Sequence, residues 1–430
     1  MIRLKAGEDM GDFKKGQNRK CKGMRDLLPV DMSQFRHVEG VFRDCCGKWS
    51  YQEVMTPTLE YMHLFTSAGT FTPEMLGRVY SFLDWDGWSG ERVVLRPDCT
   101  IPVARLYIDE KEEHTDRARL FYIMNVFAFE QTGRESRERW QCGAEFLGDT
   151  TSMADAELMA LGLEVLTLLG LPEAELRLSH VGILRAVLKE LSLSEEERGV
   201  ILDNILDGDT TSLLQASEGN GEVKNFLSLM LGRTGRSKSF VHNLRSLCNE
   251  DMTEARTALD DFERLIEVVE AMGCPYQIDM ASARGFEYYT GVTFQFFVGD
   301  ENVGAGGRYD ALIPLMGGRG VPASGFALYL DKLVPLLQPS IGTSLPWKGV
   351  RVSAAETSPE ILMACAEAAR MLREAGFTAE FDFSDVDASS RWNWTMIVEG
   401  PPLMFTLISS DGRKTTASSA SEVLQLLEEA

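Results

Sequence analysis

Apolar residues return every three or four positions at Met32, Phe35, Val38, Val41, Phe42, Cys45, Cys46 and Trp49. This is the period of a helix with one buried face. Asp31 and Gln34 stand at its start as a capping-box pattern, and a strand ending at Thr56 and Pro57 is expected to follow. Val93, Val94 and Leu95, and later Phe121, Tyr122 and Ile123, predict short buried strands. Val292, Phe294, Phe296 and Val298 alternate with Thr293, Gln295 and Phe297 as a longer one. Hairpin-like or irregular links join these runs, without regular strand-helix-strand units, which favours an antiparallel sheet with helices packed against it. Neither a Rossmann nor a phosphate-loop glycine pattern occurs.

The same pattern divides the chain. Residues 1–20 form a polar, mildly basic tail, and residues 21–337 carry the sheet signals. Within them, about 184–273 reads as nearly all helix, a helical insertion. It ends in an amphipathic run over 253–272, with Asp251 and Glu254 as a second capping box and Gly273 as the stop. Pro, Ser and Gly mark a linker over 338–349. Residues 350–430 predict a small α/β domain: a helix over 359–375 halted by Gly376, strand-like residues 377–383, and strand signals at 396–398 and 403–407.

At 430 residues the chain exceeds the size at which one core keeps growing, so two or three domains are expected. Its eight cysteines include no CxxC pair, and a chain of this size needs no disulfide staples; reduced thiols in a cytoplasm fit best. The five histidines lack ligand spacing, so no metal site is expected. No apolar leader and no run near the ~20 apolar residues of a membrane span is present. A net charge of −22 argues against tRNA or any other polyanion as a partner.

Ordered motifs add a resemblance. KGMRDLLP at 22–29, TPTLE at 56–60, LRPDCT at 95–100, VFAFE at 126–130, QCGAEFLG at 141–148, RGFEYYTG at 284–291, GAGGRYD at 304–310 and GFALYLDKL at 325–333 together resemble histidyl-tRNA synthetases and their class II aminoacyl-tRNA synthetase relatives. The resemblance implies an α+β fold: a six-stranded antiparallel sheet flanked by helices, a dimer whose interface includes the first motif, and a histidine pocket on the sheet. Free histidine offers an ammonium, a carboxylate and an imidazole, so its site needs acceptors, a cation and a donor-acceptor pair. By the resemblance, Asp98, Thr100 and Gln141 hold the ammonium, Arg284 faces the carboxylate, and Glu145, Tyr289 and Tyr309 line the imidazole side.

Individual residues admit plainer readings. GAGGRYD alone is a tight turn into a helix. Tyr288 neighbours Tyr289 where a strand begins and is expected to face away as core or surface. Cys99 and Cys142 read as small buried fillers.

Two departures decide the function that the resemblance implies. The synthetase pattern has Arg at the position of Ala128, contacting the amino-acid carboxylate and the α-phosphate, and Arg at the position of Lys332, stacking on adenine. Ala128 can do neither job, and Lys332 lacks the planar fork. Losing one such donor costs about 10² to 10³ in rate. Arg134, Arg137 and Arg139 remain in the second-motif loop. A kept amino-acid pocket with a weakened ATP grip is similar to the ATP phosphoribosyltransferase regulatory subunits, paralogues of the synthetases. That implies a non-catalytic, allosteric chain of histidine biosynthesis without a catalytic residue or cofactor. Its partner would be the short-form catalytic subunit in a hetero-octamer of four and four chains, with histidine as feedback effector.

The last domain stands where a synthetase carries its anticodon-binding domain. Residues 345–430 hold seven Lys and Arg against thirteen Asp and Glu, a surface that repels an anticodon stem. The domain's presence keeps a divergent histidine-tRNA ligase open as an alternative, and an amino-acid-binding scaffold of the same fold as another.

Overall fold

The structure, a computed structural model, describes residues 20–67, 77–85, 90–110, 117–130, 136–191, 193–206, 209, 211–232, 234–249, 252–282, 288–337, 349–381 and 392–429. The tail at 1–19, Asp251 of the second capping box and the linker residues 338–348 lie outside them. The chain divides into the units Met1–Ile341 and Gly342–Ala430.

The first amphipathic run forms the helix Pro29–Lys48, burying Phe35, Val38, Phe42, Cys45 and Cys46. It starts earlier than the capping pattern predicts. Pro29 occupies the first turn, where its missing N–H costs nothing, and Asp31 accepts from the Leu28 N–H at 3.0 Å. The following strand is only Gln52–Glu53, short of the expected end at Thr56 and Pro57. Thr56 leaves the sheet because its N–H and hydroxyl turn to Met124 Sδ at 3.5 and 3.6 Å, while its carbonyl accepts from Arg96 Nη1 at 2.8 Å.

The main sheet runs in the order Gln52–Glu53, Ala118–Phe127, Glu138–Leu147, Ala323–Tyr329, Glu301–Arg308, Val292–Val298, Glu175–His180 and Tyr276–Ile278. Its six central strands are antiparallel, as the resemblance implies. The sheet is nevertheless mixed: the two outermost strands, of two and three residues, run parallel to their neighbours. Segments so short carry no readable alternation. GAGGR is strand, not the turn it suggests in isolation, and its glycines admit close neighbours; a Cβ at Gly307 would stand 2.8 Å from the Tyr289 ring.

Alternation along the strands separates two environments. Phe121, Ile123, Cys142, Ala144 and Phe146 join the main core, together with the helices Pro29–Lys48 and Ser152–Leu168. There Phe42 lies edge-on to Phe121 at 6.0 Å and to Phe326 at 6.4 Å. Removing such a ring costs about 3–5 kcal/mol. Tyr122, Met124 and Val126 point the other way, onto Cys99 and Val103.

The Val93–Leu95 signal belongs to a separate three-stranded sheet of Leu59–Tyr61, Gly90–Leu95 and Ser81–Trp85. Among the described residues the helix-rich stretch holds six helices, from Val181–Lys189 to Thr253–Ala271, and Gly273 follows the last with φ +72°. The second unit is a five-stranded mixed sheet with the helices Pro359–Glu374 and Ala420–Glu428. Ser358 caps the first of these, accepting from Ile361 N–H, and Gly376, φ +86°, lies just past its end.

Candidate functional site

Small residues on neighbouring strands carve the floor of a cavity of about 570 Å³. On Glu138–Leu147, Gln141, Gly143 and Glu145 share one face, because side chains alternate. Gly143 lies opposite Tyr122 and Ala327, and Glu145 lies opposite Gly325. Each glycine makes room for a larger neighbour. A Cβ on Gly143 would collide with the Tyr122 ring, and one on Gly325 would overlap Glu145 Oε2.

Five of the seven sequence-derived candidates line this cavity: Asp98, Thr100, Gln141, Tyr289 and Tyr309. Glu145 lies beneath them, 1% exposed. Thr100 donates to its Oε1 at 2.8 Å, and the Tyr309 hydroxyl donates to its Oε2. Arg284 falls outside the described residues.

Further wall residues stand outside the candidate set drawn from the sequence. Tyr288, expected to face away, lines the cavity and bonds to Asp98. Strand alternation does not govern it, because regular strand begins only at Val292. Arg78 and Tyr122 also line the wall, as does Arg139 of the second-motif arginines. Tyr122 was detectable, since a tyrosine between Phe121 and Ile123 must face opposite to them. Arg78 lies far from every motif and gave no signal. Arg137 donates to the Glu130 carbonyl and covers the Phe129 ring at 4.6 Å, and Arg134 lies outside the described residues.

The electrostatics follow from burial. Asp98 precedes the helix Thr100–Asp109, and its Oδ1 accepts from Ile101 N–H at 2.8 Å. Burial outweighs these donors and lifts its carboxyl to about 6. Burial lifts Glu145 further, to about 8, against the opposing pull of the Tyr309 and Thr100 hydroxyls. Tyr122, Tyr288, Tyr289 and Tyr309 are pushed well above the ordinary phenol range, again chiefly by burial. Near neutral pH the cavity therefore offers an ionised Asp98 above a largely protonated Glu145, with neutral phenols and two arginines. A wall with both charge signs and many hydroxyls suits a small zwitterion.

The two departures have clear surroundings. Ala128 follows the strand Ala118–Phe127 and donates its N–H to the Arg137 carbonyl at 3.0 Å. Lys332, in the short helix Leu330–Leu333, has its ammonium ion-paired with Glu301. Next to it, Asp331 accepts from Trp140 N–H at 2.9 Å and pairs with Arg25 of the first motif.

Cys99 and Cys142 are fully buried, and burial raises both thiols well above their ordinary range. That keeps them unreactive, as the filler reading expects.

Comparison with known proteins agrees with this architecture. Residues 23–333 match the histidyl-tRNA synthetase family. An ATP phosphoribosyltransferase regulatory subunit of Dehalococcoides mccartyi is 45% identical over 408 residues, covering 95% of this chain and 98% of the relative. A histidine-tRNA ligase of Methanocaldococcus jannaschii is 33% identical over 320 residues, covering 73% and 74%. A solved ATP phosphoribosyltransferase regulatory subunit/histidyl-tRNA synthetase from Bacillus halodurans superposes with a TM-score of 0.75 at 26% identity, covering 89% of this chain and 99% of that one. The chain belongs to the histidyl-tRNA synthetase family and, within it, to the ATP phosphoribosyltransferase regulatory subunits.

Proposed function

We propose that this chain is a non-catalytic regulatory subunit that binds free histidine in the tyrosine-lined cavity and controls a short-form ATP phosphoribosyltransferase catalytic subunit. Asp98, Thr100 and Gln141 take the ammonium. Tyr289 and Tyr309 face the imidazole, while Glu145 holds Thr100 and Tyr309 in place. Arg284 takes the carboxylate in this reading, and Arg78 and Arg139 add positive charge to the same wall. A site that hydrogen-bonds a polar side chain rejects apolar analogues by roughly 10⁴.

One observation carries the proposal. A cavity of about 570 Å³ has five of the seven candidate residues on its wall, while of the two ATP-gripping positions one is Ala128 and the other, Lys332, is tied to Glu301. Histidine must favour one arrangement of the assembled complex over another, because equal affinity for both shifts nothing. The assembly is a hetero-octamer of four regulatory and four catalytic chains, with this chain first pairing with itself. Self-pairing is supported by the three-stranded sheet, where Tyr61 and Phe82 flank Val93 on one face and are each 46% exposed. Among the described residues no helix is long and apolar enough to cross a membrane.

Reconstitution with the catalytic partner tests the proposal: the chain should raise the partner's activity, and histidine should lower it. A ligase reading draws on Arg139, a second-motif arginine that still lines the cavity. Histidine-dependent pyrophosphate exchange by the purified chain would favour it.

A further inference from the structure

One strand grades the floor of the tyrosine-lined cavity from small to large. On Ala323–Tyr329, the residues Gly325, Ala327 and Tyr329 share the face that lines the cavity, because side chains alternate, and successive members stand roughly 7 Å apart. Gly325 lies opposite Glu145, Ala327 opposite Gly143, and Tyr329 opposite Gln141. Two steps of low floor therefore end at a ring.

The ring is held at that end. Tyr329 keeps extended backbone, φ −97° and ψ 104°, and pairs with Gln141. Two residues on, Asp331 accepts from the Trp140 N–H at 2.9 Å and pairs with Arg25, so the backbone is fixed on both sides of the ring. The side chain turns into the cavity as part of its wall, half-buried like Ala327. Burial pushes its phenol up to about 12, while Arg139 opposes that shift and Asp98 adds to it. Tyr329 raises the Tyr289 phenol in turn. These mutual effects place its hydroxyl among the polar groups of the cavity.

The strand register shows which end the ring closes. Met124 and Gln141 share its row, Val126 and Arg139 form the next, and Ala128 lies two residues beyond Val126. Lys332, three residues after Tyr329, is drawn to Glu301. Glu145, on the imidazole side, stands at the opposite end beside Gly325, about 14 Å away along the strand. In the histidine-binding reading, on which this role rests, Gln141 and Asp98 hold the ammonium. Tyr329 then faces the α-carbon, from which the carboxylate also hangs. We infer that Tyr329 is a specificity-determining residue, whose ring is the end wall of the cavity and selects a free amino acid over derivatives extended from the carboxyl group. A clash built against the longer ligand discriminates without any added contact to the shorter one.

Isothermal titration of the full-length chain with L-histidine, L-histidinamide and L-histidine β-naphthylamide tests this role. Both amides lack the carboxylate, so the ratio of their affinities reads bulk at that end. Wild type is expected to favour histidinamide over the naphthylamide by at least about tenfold, and Tyr329→Ala to bring the two within about threefold. Tyr329→Phe keeps the ring and should retain the preference. Tyr329→Leu removes less packing and should move the ratio in the same direction as Tyr329→Ala, which keeps the role testable if the alanine variant does not fold. Loss of packing alone would weaken both amides together and leave their ratio unchanged. Histidine binding without a wild-type preference between the amides, or with a preference that Tyr329→Ala and Tyr329→Leu leave in place, overturns the role of Tyr329 alone. Absence of histidine binding to wild type overturns the histidine-binding reading and this role with it.

Discussion

Thr100 donates its hydroxyl to Glu145 Oε1 at 2.8 Å, while Tyr309 donates to the other oxygen of the same carboxyl. Both oxygens of Glu145 are thus engaged by residues that line the cavity, and the carboxyl sets their orientation from below.

Glu145→Ala strips both hydroxyls of their acceptor. It is expected to destabilise the chain by about 1–3 kcal/mol and to abolish histidine feedback while assembly with the catalytic subunit persists. Denaturant unfolding and reconstituted activity with histidine read these effects. Unchanged feedback would place the effector elsewhere.

The pH dependence of stability has a defined sign. Glu145 is lifted from 4.5 to about 8 on folding, so the native state holds this proton more tightly than the unfolded chain. Its contribution is complete below pH 4.5 and is lost as pH rises through about 8. Chemical denaturation across that window should show the decline, and Glu145→Gln should flatten it.

Histidine binding should respond in the opposite direction to acid. Asp98, lifted to about 6, must be ionised to accept an ammonium, so affinity should fall as pH drops below about 6. Titration calorimetry at several pH values checks this, and Asp98→Asn should remove both the affinity and its pH dependence.

Gly325→Ala drives a methyl into Glu145 Oε2 and should cost about 1–3 kcal/mol, with loss of histidine binding. Gly199, a helical glycine with nothing within 4 Å of its added Cβ, provides the contrast. Gly199→Ala should stabilise by up to about 1 kcal/mol and leave binding unchanged. Thermal unfolding of the two variants separates cavity shape from general tolerance.

Much of this arrangement was legible in the sequence where a period or a motif repeated a physical constraint. Gln141, Gly143 and Glu145 share a face because strand side chains alternate, and Gly273 follows its helix as its position suggested. Other features depend on long-range packing. Thr56 abandons the sheet for Met124 and Arg96, and Gly325 is small because Glu145 lies across the strand. Tyr288 turns toward Asp98 from irregular backbone, where no alternation rule applies.

The most direct measurement is the activity of the short catalytic subunit alone, with this chain, and with this chain plus histidine. The account predicts low activity, then activation, then inhibition that Glu145→Ala relieves. Activity that this chain leaves unchanged, together with histidine-dependent pyrophosphate exchange by the chain itself, would contradict it.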